Sequence, residues 1–340
     1  MSAAKSGRAL SVAIVGAGLM GRWHARYAVR AGAEIAAIID HDPAALRRLG
    51  LRHPGAAALP DVSALLAGRL PDAVHVCTAT GTHAEIAERL LARSVHVLVE
   101  KPLAANAAET HRLLHLADAH GALLCPVYQF AFQRGFERAQ QRLATMGRAL
   151  RAEITICSAG GERLPGGGDA LIREVLPHPP SILAALFPKA RADLATWRAA
   201  RAGEGEFAAQ GRFGAVEASV AISAHARPSR CEARLLCGRG TLLLDFLHGY
   251  VAMQPDRRGR IGKIMQPFAA AASQSLAAAG NLAQRLVARE PAYPGLRRLI
   301  DAFYAAVRNG AASPVPRVTI VAVAQWCDHI ERELARVAAR

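Results

Sequence analysis

Leu10-Ser11-Val12-Ala13-Ile14-Val15-Gly16-Ala17-Gly18-Leu19-Met20-Gly21 is an apolar run that breaks directly into Gly-x-Gly-x-x-Gly. A short run rich in Val and Ile reads as a strand covered on both faces. The glycines mark its turn into a helix, and each has a separate use there. Gly16 permits the tight bend, Gly18 lets a ligand approach the backbone, and Gly21 lets helix and strand pack closely. The helix opening at Leu19 and Met20 aims unpaired N–H groups and the positive end of its dipole at whatever sits before it. A pyrophosphate suits that position, so Gly16, Gly18, Leu19, Met20 and Gly21 are candidate contacts to a dinucleotide.

Strand and helix patterns alternate outward from this turn. Strands are expected at 10–15, 34–39, 73–77, 95–99 and 123–127, and helices at 19–31, 43–49, 83–93 and 107–120. Such alternation predicts a doubly wound parallel sheet, a Rossmann domain spanning 1–125. Asp40 closes the second strand about twenty residues past the glycines, where a carboxylate would hold a ribose 2′-hydroxyl and repel a 2′-phosphate. NAD is therefore expected over NADP. Thr78, Thr80 and His83 follow the strand 73–77 at the edge where such sheets bind ligands; the hydroxyls also read as helix caps. The strand 95–99 runs into Glu100-Lys101-Pro102-Leu103. On residues alone, Lys101 either caps a strand end with its ammonium in water or meets a reacting oxygen.

The 340 residues suffice for two domains, and 52% are hydrophobic, enough for a sizeable core. A net charge of +15 raises the question of a polyanionic partner. The arginines are spread along the chain without a basic run, and only Lys5, Lys101, Lys189 and Lys263 are lysines. That distribution reads as coding bias on solvated faces, and no nucleic-acid partner is expected. Cys77, Cys125, Cys157, Cys231, Cys237 and Cys327 form no C-x-x-C and no zinc spacing, which fits a reducing compartment and a cytoplasmic location, with no metal. Lys5 and Arg8 ahead of an apolar stretch resemble a signal peptide, but that stretch is the first strand. No transmembrane segment is expected.

The remainder, 126–340, reads as an α+β domain with a largely antiparallel open sheet: strands at 148–157, within 192–199, 205–213, 215–224, 231–237 and 241–246, and a final helix at 318–337. Gln129 leaves the first domain as a candidate contact to nicotinamide or sugar. The stretch 263–289 is an Ala-rich helical insertion; its apolar face, mostly alanine, would insert weakly into membrane, so packing within or between subunits is expected.

Val12 to Gly21, Cys77-Thr78-Ala79-Thr80-Gly81-Thr82-His83-Ala84-Glu85 and Val99-Glu100-Lys101-Pro102-Leu103 together resemble the Gfo/Idh/MocA oxidoreductases. The resemblance implies NAD(P)-dependent oxidation or reduction of a sugar, polyol or related carbinol. It implies Lys101 beside the nicotinamide and the reacting oxygen, held by Glu100, often with a cis bond before Pro102. Cys237 to Leu244 resembles the glycine turn between the family's late strands, whose sheet walls the substrate pocket and often joins subunits; a homodimer or homotetramer is implied. The family's Asp-x-Gly-x-His helix pattern, with a further Asp, is replaced here by Glu174, Leu176, His178 and Ser181. Glu174 and His178 would share a helix face one turn apart, although Pro177, Pro179 and Pro180 place the helix start near Pro179. Both are candidate catalytic residues. An NAD-dependent glycosidase with recycled cofactor and a non-catalytic nucleotide- or sugar-binding protein stay open as alternatives.

Overall fold

The computed structural model describes residues 8–158, 160–161, 166–256 and 259–338, so Lys5 and the start of the signal-like segment lie outside it. The chain divides into two compact units, the first formed by residues up to Tyr128 together with Leu296–Ala324.

In the first unit β1 (Ser11–Val15), β2 (Glu34–Ile39), β3 (Ala57–Leu59), β4 (Ala73–Val76), β5 (His96–Val99) and β6 (Leu124–Pro126) form one sheet. All are parallel, in the order β3-β2-β1-β4-β5-β6. This is the doubly wound order, with its switch point between β1 and β4. Val12, Ala13, Ile14, Val74, Val97 and Leu98 are buried to within 1% of completely, as strands covered on both faces must be. The connecting helices are α1 (Leu19–Arg30), α2 (Pro43–Gly50), α3 (Val62–Ala67), α4 (His83–Leu91) and α5 (Ala107–Ala119). Asp42, Asp61 and Asn106 cap α2, α3 and α5 by accepting from Ala44, Ala64 and Glu109 N–H. β3 and α3 lie outside the sequence expectation; three residues offer no periodicity to read.

In the second unit, residues 129–295 and from Gln325 on, α6 (Arg134–Leu143) precedes β7 (Ala149–Cys157), α7 (Gly167–Val175) and α8 (His178–Leu186). Then come β8 (Ala192–Gly203), β9 (Glu206–Phe213), β10 (Val216–Ser223), β11 (Arg230–Cys237), β12 (Gly240–Asp245), β13 (Tyr250–Pro255) and α9 (Arg260–Val287). The sheet order is β13-β12-β11-β7-β10-β9-β8, antiparallel except where β10 runs parallel to β7. Its strands alternate buried and exposed residues: Ile154, Ile156, Phe207, Val220 and Ile222 face the core, while Arg151, Arg198, Arg212 and Glu217 face water. Glu217 lies opposite both Arg151 and Arg212 in register.

The chain re-enters the first unit with α10 (Leu296–Asn309), and α11 (Arg317–Ala338) crosses back into the second. A domain unbroken from 126 to the end is therefore not what forms. Leu296, Leu299, Ile300, Phe303 and Tyr304 make an apolar stripe at helical spacing, and α10 packs by it against α1. In α11, Trp326 meets Trp197 edge-to-face at 5.0 Å within the second unit.

Candidate active site

The parallel strands of the first unit deliver Gly16, Asp40, Thr78 and Glu100-Lys101 to one edge, the carboxyl ends of β1, β2, β4 and β5. The glycine turn is wedged between its neighbours, with Gly16 N–H donating to Ile39 O at 2.8 Å. Gly16 has φ +94°, and a Cβ there would lie 2.6 Å from Cys77 O. At Gly21 a Cβ would lie 1.8 Å from Gly16 O. Those two glycines are demanded by the fold. Gly18 is not: its φ is −69° and a Cβ would meet nothing within 4 Å. It is also the N-cap of α1 without a side-chain cap, and no acidic residue stands in the first turn. Leu19 next to it is 55% exposed and Met20 half-buried. The open space, the uncapped N–H groups and the dipole fit a pyrophosphate.

Asp40 holds this turn. Its Oδ2 accepts from Ala17 N–H at 2.7 Å and its Oδ1 from Asp42 N–H at 2.9 Å. The carboxylate is thereby fixed beside the turn, with lone pairs remaining for a ribose hydroxyl. Thr78 and Thr80 are half-buried at the exit of β4, and Thr82 Oγ1 lies 2.8 Å from Thr78 Oγ1. His83 is buried with a carbonyl oxygen beside each nitrogen, Nδ1 being 2.7 Å from Pro102 O and Nε2 3.0 Å from Thr78 O. It braces the segment carrying Lys101 against the β4 exit. The Lys101–Pro102 peptide is cis.

Glu100, 6% exposed, stands behind Lys101, and its Oε2 accepts Lys101 N–H at 3.2 Å. Its Oε1 is 3.1 Å from His24 Nε2, His24 Nδ1 is 3.0 Å from His75 Nδ1, and His75 Nε2 is 3.0 Å from Tyr304 Oη. The two histidines and the tyrosine are completely buried. With His24 Nε2–H donating to the carboxylate, His75 Nδ1–H donating to His24 Nδ1 and Tyr304 O–H donating to His75 Nε2, every link of the chain is filled. Burial opposes the charge on Glu100, but the His24 hydrogen bond, aided by the charges of His24 and Lys101, holds it below the usual carboxylate range. For His75, burial and then the His24 charge depress the pKa well below the ordinary histidine value. Sequence reasoning missed His24, His75 and Tyr304. A histidine inside the fully buried β4 was the available signal, because an imidazole there needs partners.

The other sequence candidates belong to the second unit. Gln129 sits on a 3-10 turn, Gln129–Phe132, with Oε1 buried and accepting no hydrogen bond among the described residues. Glu174 lies in the last turn of α7, whereas His178 is the first residue of α8. They do not share a helix: a new helix begins here, as the prolines suggested, one residue before Pro179. Pro177 breaks the run, and Pro179 and Pro180 fall in the first turn of α8, where missing N–H groups cost nothing. His178 is 6% exposed and packs on Phe130 at 4.5 Å between ring centroids, with Phe130 stacked on Phe246 at 5.1 Å.

Among the described residues no group of three or more His, Cys, Asp or Glu could hold a metal ion, and no helix is long and apolar enough to cross a membrane. Residues 10–128 match the family described as "Oxidoreductase family, NAD-binding Rossmann fold". The chain is 32% identical over 155 residues to an inositol 2-dehydrogenase of Acidothermus cellulolyticus, covering 43% of this chain and 45% of that protein. It is 41% identical over 107 residues to a dTDP-3,4-didehydro-2,6-dideoxy-alpha-D-glucose 3-reductase of Streptomyces violaceoruber, covering 30% and 31%. The matches thus span less than half the length of these curated relatives. Over nearly its whole length the fold is that of UDP-N-acetylglucosamine 3-dehydrogenase from Acidithiobacillus ferrooxidans, with a TM-score of 0.76 at 19% identity, covering 97% of this chain and 99% of that one.

Proposed function

We propose that this chain, whose residues 10–128 belong to the NAD-binding Rossmann domain of the Gfo/Idh/MocA oxidoreductase family, oxidises or reduces a carbinol or carbonyl carbon of a sugar, polyol or nucleotide-linked sugar. The observation that carries this reading is Gly18. It is a glycine with no conformational or packing need to be one, at the N-terminus of α1 and the switch point of the sheet. Gly16, Gly18, Gly21 and the first N–H groups of α1 would hold a pyrophosphate, and Asp40 the adenosine ribose. A bound nicotinamide supplies the hydride chemistry.

The protein's own part is the proton and the orientation. Lys101 Nζ would take the hydroxyl proton in oxidation and return it in reduction. Glu100 would keep that lysine near the reacting oxygen, since its carboxylate is fixed by His24 and by Lys101 N–H. His178 is proposed as a second group orienting the substrate, supported by a buried ring held against Phe130; Glu174 is a weaker candidate for the same task, and Gln129 would meet the nicotinamide or the sugar. The names of these relatives, an inositol dehydrogenase and a dideoxyglucose reductase, favour polyols and deoxysugars as first substrates to try.

The test is NADH formation by the wild-type chain and by Lys101→Met across inositols and nucleotide sugars. The variant should bind NAD as tightly and lose about 10²–10⁴-fold in turnover. Unchanged turnover removes Lys101 from the chemistry. Sugar release without net NADH favours the glycosidase reading.

A further inference from the structure

Four polar side chains are shut inside the first unit with almost no choice of partner. His24 stands on α1, His75 on β4, Glu100 just past β5 and Tyr304 on α10. Their hydrogen bonds therefore join four elements and end in the segment that returns to this unit after residue 295. The two ends differ in kind: an ionised carboxylate can only accept, whereas a phenol can donate or accept. The other titratable neighbours of Glu100 are Lys101 beside it and Cys77 just after β4. Those of Tyr304 are Cys77, Asp301 and Arg308, while Phe303 packs edge-on to the His75 ring at 6.4 Å. Burial pushes the phenol well above its ordinary pKa, so the hydroxyl keeps its proton. Among the described residues, Tyr304 Oη has no hydrogen-bond partner other than His75 Nε2.

Two arrangements of protons fill the three links. In the first, donation runs from Tyr304 to Glu100, and the carboxylate meets His24 Nε2–H. In the second every bond is reversed: a protonated Glu100 donates to His24 Nε2, His24 Nδ1–H to His75 Nδ1, and His75 Nε2–H to Tyr304 Oη. The second leaves the phenol O–H without an acceptor at a completely buried position, which carries the cost of an unmade hydrogen bond. In Tyr304→Phe both arrangements would orphan one atom, His75 Nε2, and that source of preference disappears. We propose that Tyr304 is a positioning residue for Lys101: through His75 and His24 its hydroxyl makes the bonds run toward Glu100, so that the group beside Lys101 is a carboxylate held by an N–H. A fixed, ionised Glu100 is what keeps the lysine at the reacting oxygen, so the inference rests on the role of Lys101 proposed above.

The first test needs no substrate. In the full chain labelled at histidine nitrogen, magnetic resonance should find a protonated Nε2 and a bare Nδ1 on His24, and the opposite pattern on His75. His24→Gln and His75→Leu assign the two rings. Tyr304→Phe deletes one oxygen and keeps the ring; in it Glu100 should bind a proton about tenfold more tightly, read from its carboxyl carbon signal, which Glu100→Gln assigns. A carboxylate that binds its proton more tightly is lost at higher pH. The ratio of NADH formation by Tyr304→Phe to that by wild type should therefore fall as pH is lowered, toward about one-tenth, with NAD affinity unchanged. A lost packing contact would lower the ratio alike at every pH. A proton on His24 Nδ1 in wild type, or the same Glu100 titration in both proteins, overturns the proposal. So does a pH-independent ratio where Lys101→Met is inactive. Full turnover in Lys101→Met defeats the reading of Lys101 instead, and leaves the histidine and Glu100 signals as expected here.

Discussion

Replacing His75 with Leu should change how acid unfolds the first unit. His75 is completely buried, and burial together with the His24 charge keeps it neutral far below the ordinary histidine pKa. The unfolded chain regains a histidine titrating near 6.5. Because the folded value is depressed, the unfolded state binds the extra proton, so the stability due to a neutral His75 is complete above about pH 6.5 and is lost as pH falls. One proton gives a slope of about 1.4 kcal/mol per pH unit, so by about pH 5.5 wild type should have lost about 1.4 kcal/mol from this residue alone. His75→Leu is less stable at neutral pH, because His24 Nδ1 and Tyr304 Oη lose their buried partner, at about 1–3 kcal/mol each. Its slope, however, should be shallower than wild type by about one proton. Urea unfolding read by hydrogen exchange of the β1 and β4 amides, repeated at intervals from about pH 7.5 to 5.5, measures both slopes. His53 and His96, also depressed mainly by burial, contribute equally to both proteins and cancel. Equal slopes would refute the claim that His75 is held neutral.

Gly18→Ala should leave stability within about 1 kcal/mol, the cost of a poorer N-cap, and weaken NAD binding at least about tenfold by calorimetry; Gly21→Ala, with its methyl 1.8 Å from Gly16 O, should not give folded protein. Glu100→Gln should cut turnover while sparing NAD affinity. It should also remove part of the stability loss below about pH 4.5, since a carboxylate held below its ordinary value stabilises above that pH and stops doing so as pH falls through the folded value. Cys125, whose thiol burial pushes up to about 12, should resist alkylation in native protein and react once the first unit unfolds, as read by mass spectrometry.

The parallel sheet was legible because both of its faces are buried. The run 35–39 is Ile-Ala-Ala-Ile-Ile, and β2 spans it together with Glu34. β3 has three residues and β13 mixes Tyr, Met and Gln, so neither offered a pattern. The glycine turn, Asp40 and Glu100-Lys101 were readable as local motifs at strand ends. The buried chain behind them was not, because Tyr304 lies 229 positions from His75 and nothing local in α10 marks it. For Glu174 and His178 the prolines were the readable signal: the spacing is helical, but Pro177 falls between two helices and α8 opens at His178. For α9 the Ala-rich helix itself was readable, while the side that rests on β13 was not, since the hydrogen bonds of Ser273 to Met253 decide it.

Leu296–Ala324 rejoins residues that left the ribosome much earlier, so residues 129–295 are an insertion within the first unit, and the chain from Gln325 returns to the second. At roughly 5–20 residues per second, about ten to thirty seconds separate the emergence of β6 from that of α10. Throughout that interval the nascent sheet lacks the apolar stripe that covers α1, and His75 waits in a fully apolar strand without its phenol partner. The first unit is completed only after residues 129–295 have emerged. A fragment cut at Tyr128, at the edge of the recognisable motif, would carry every glycine of the turn and still be an unfinished fold.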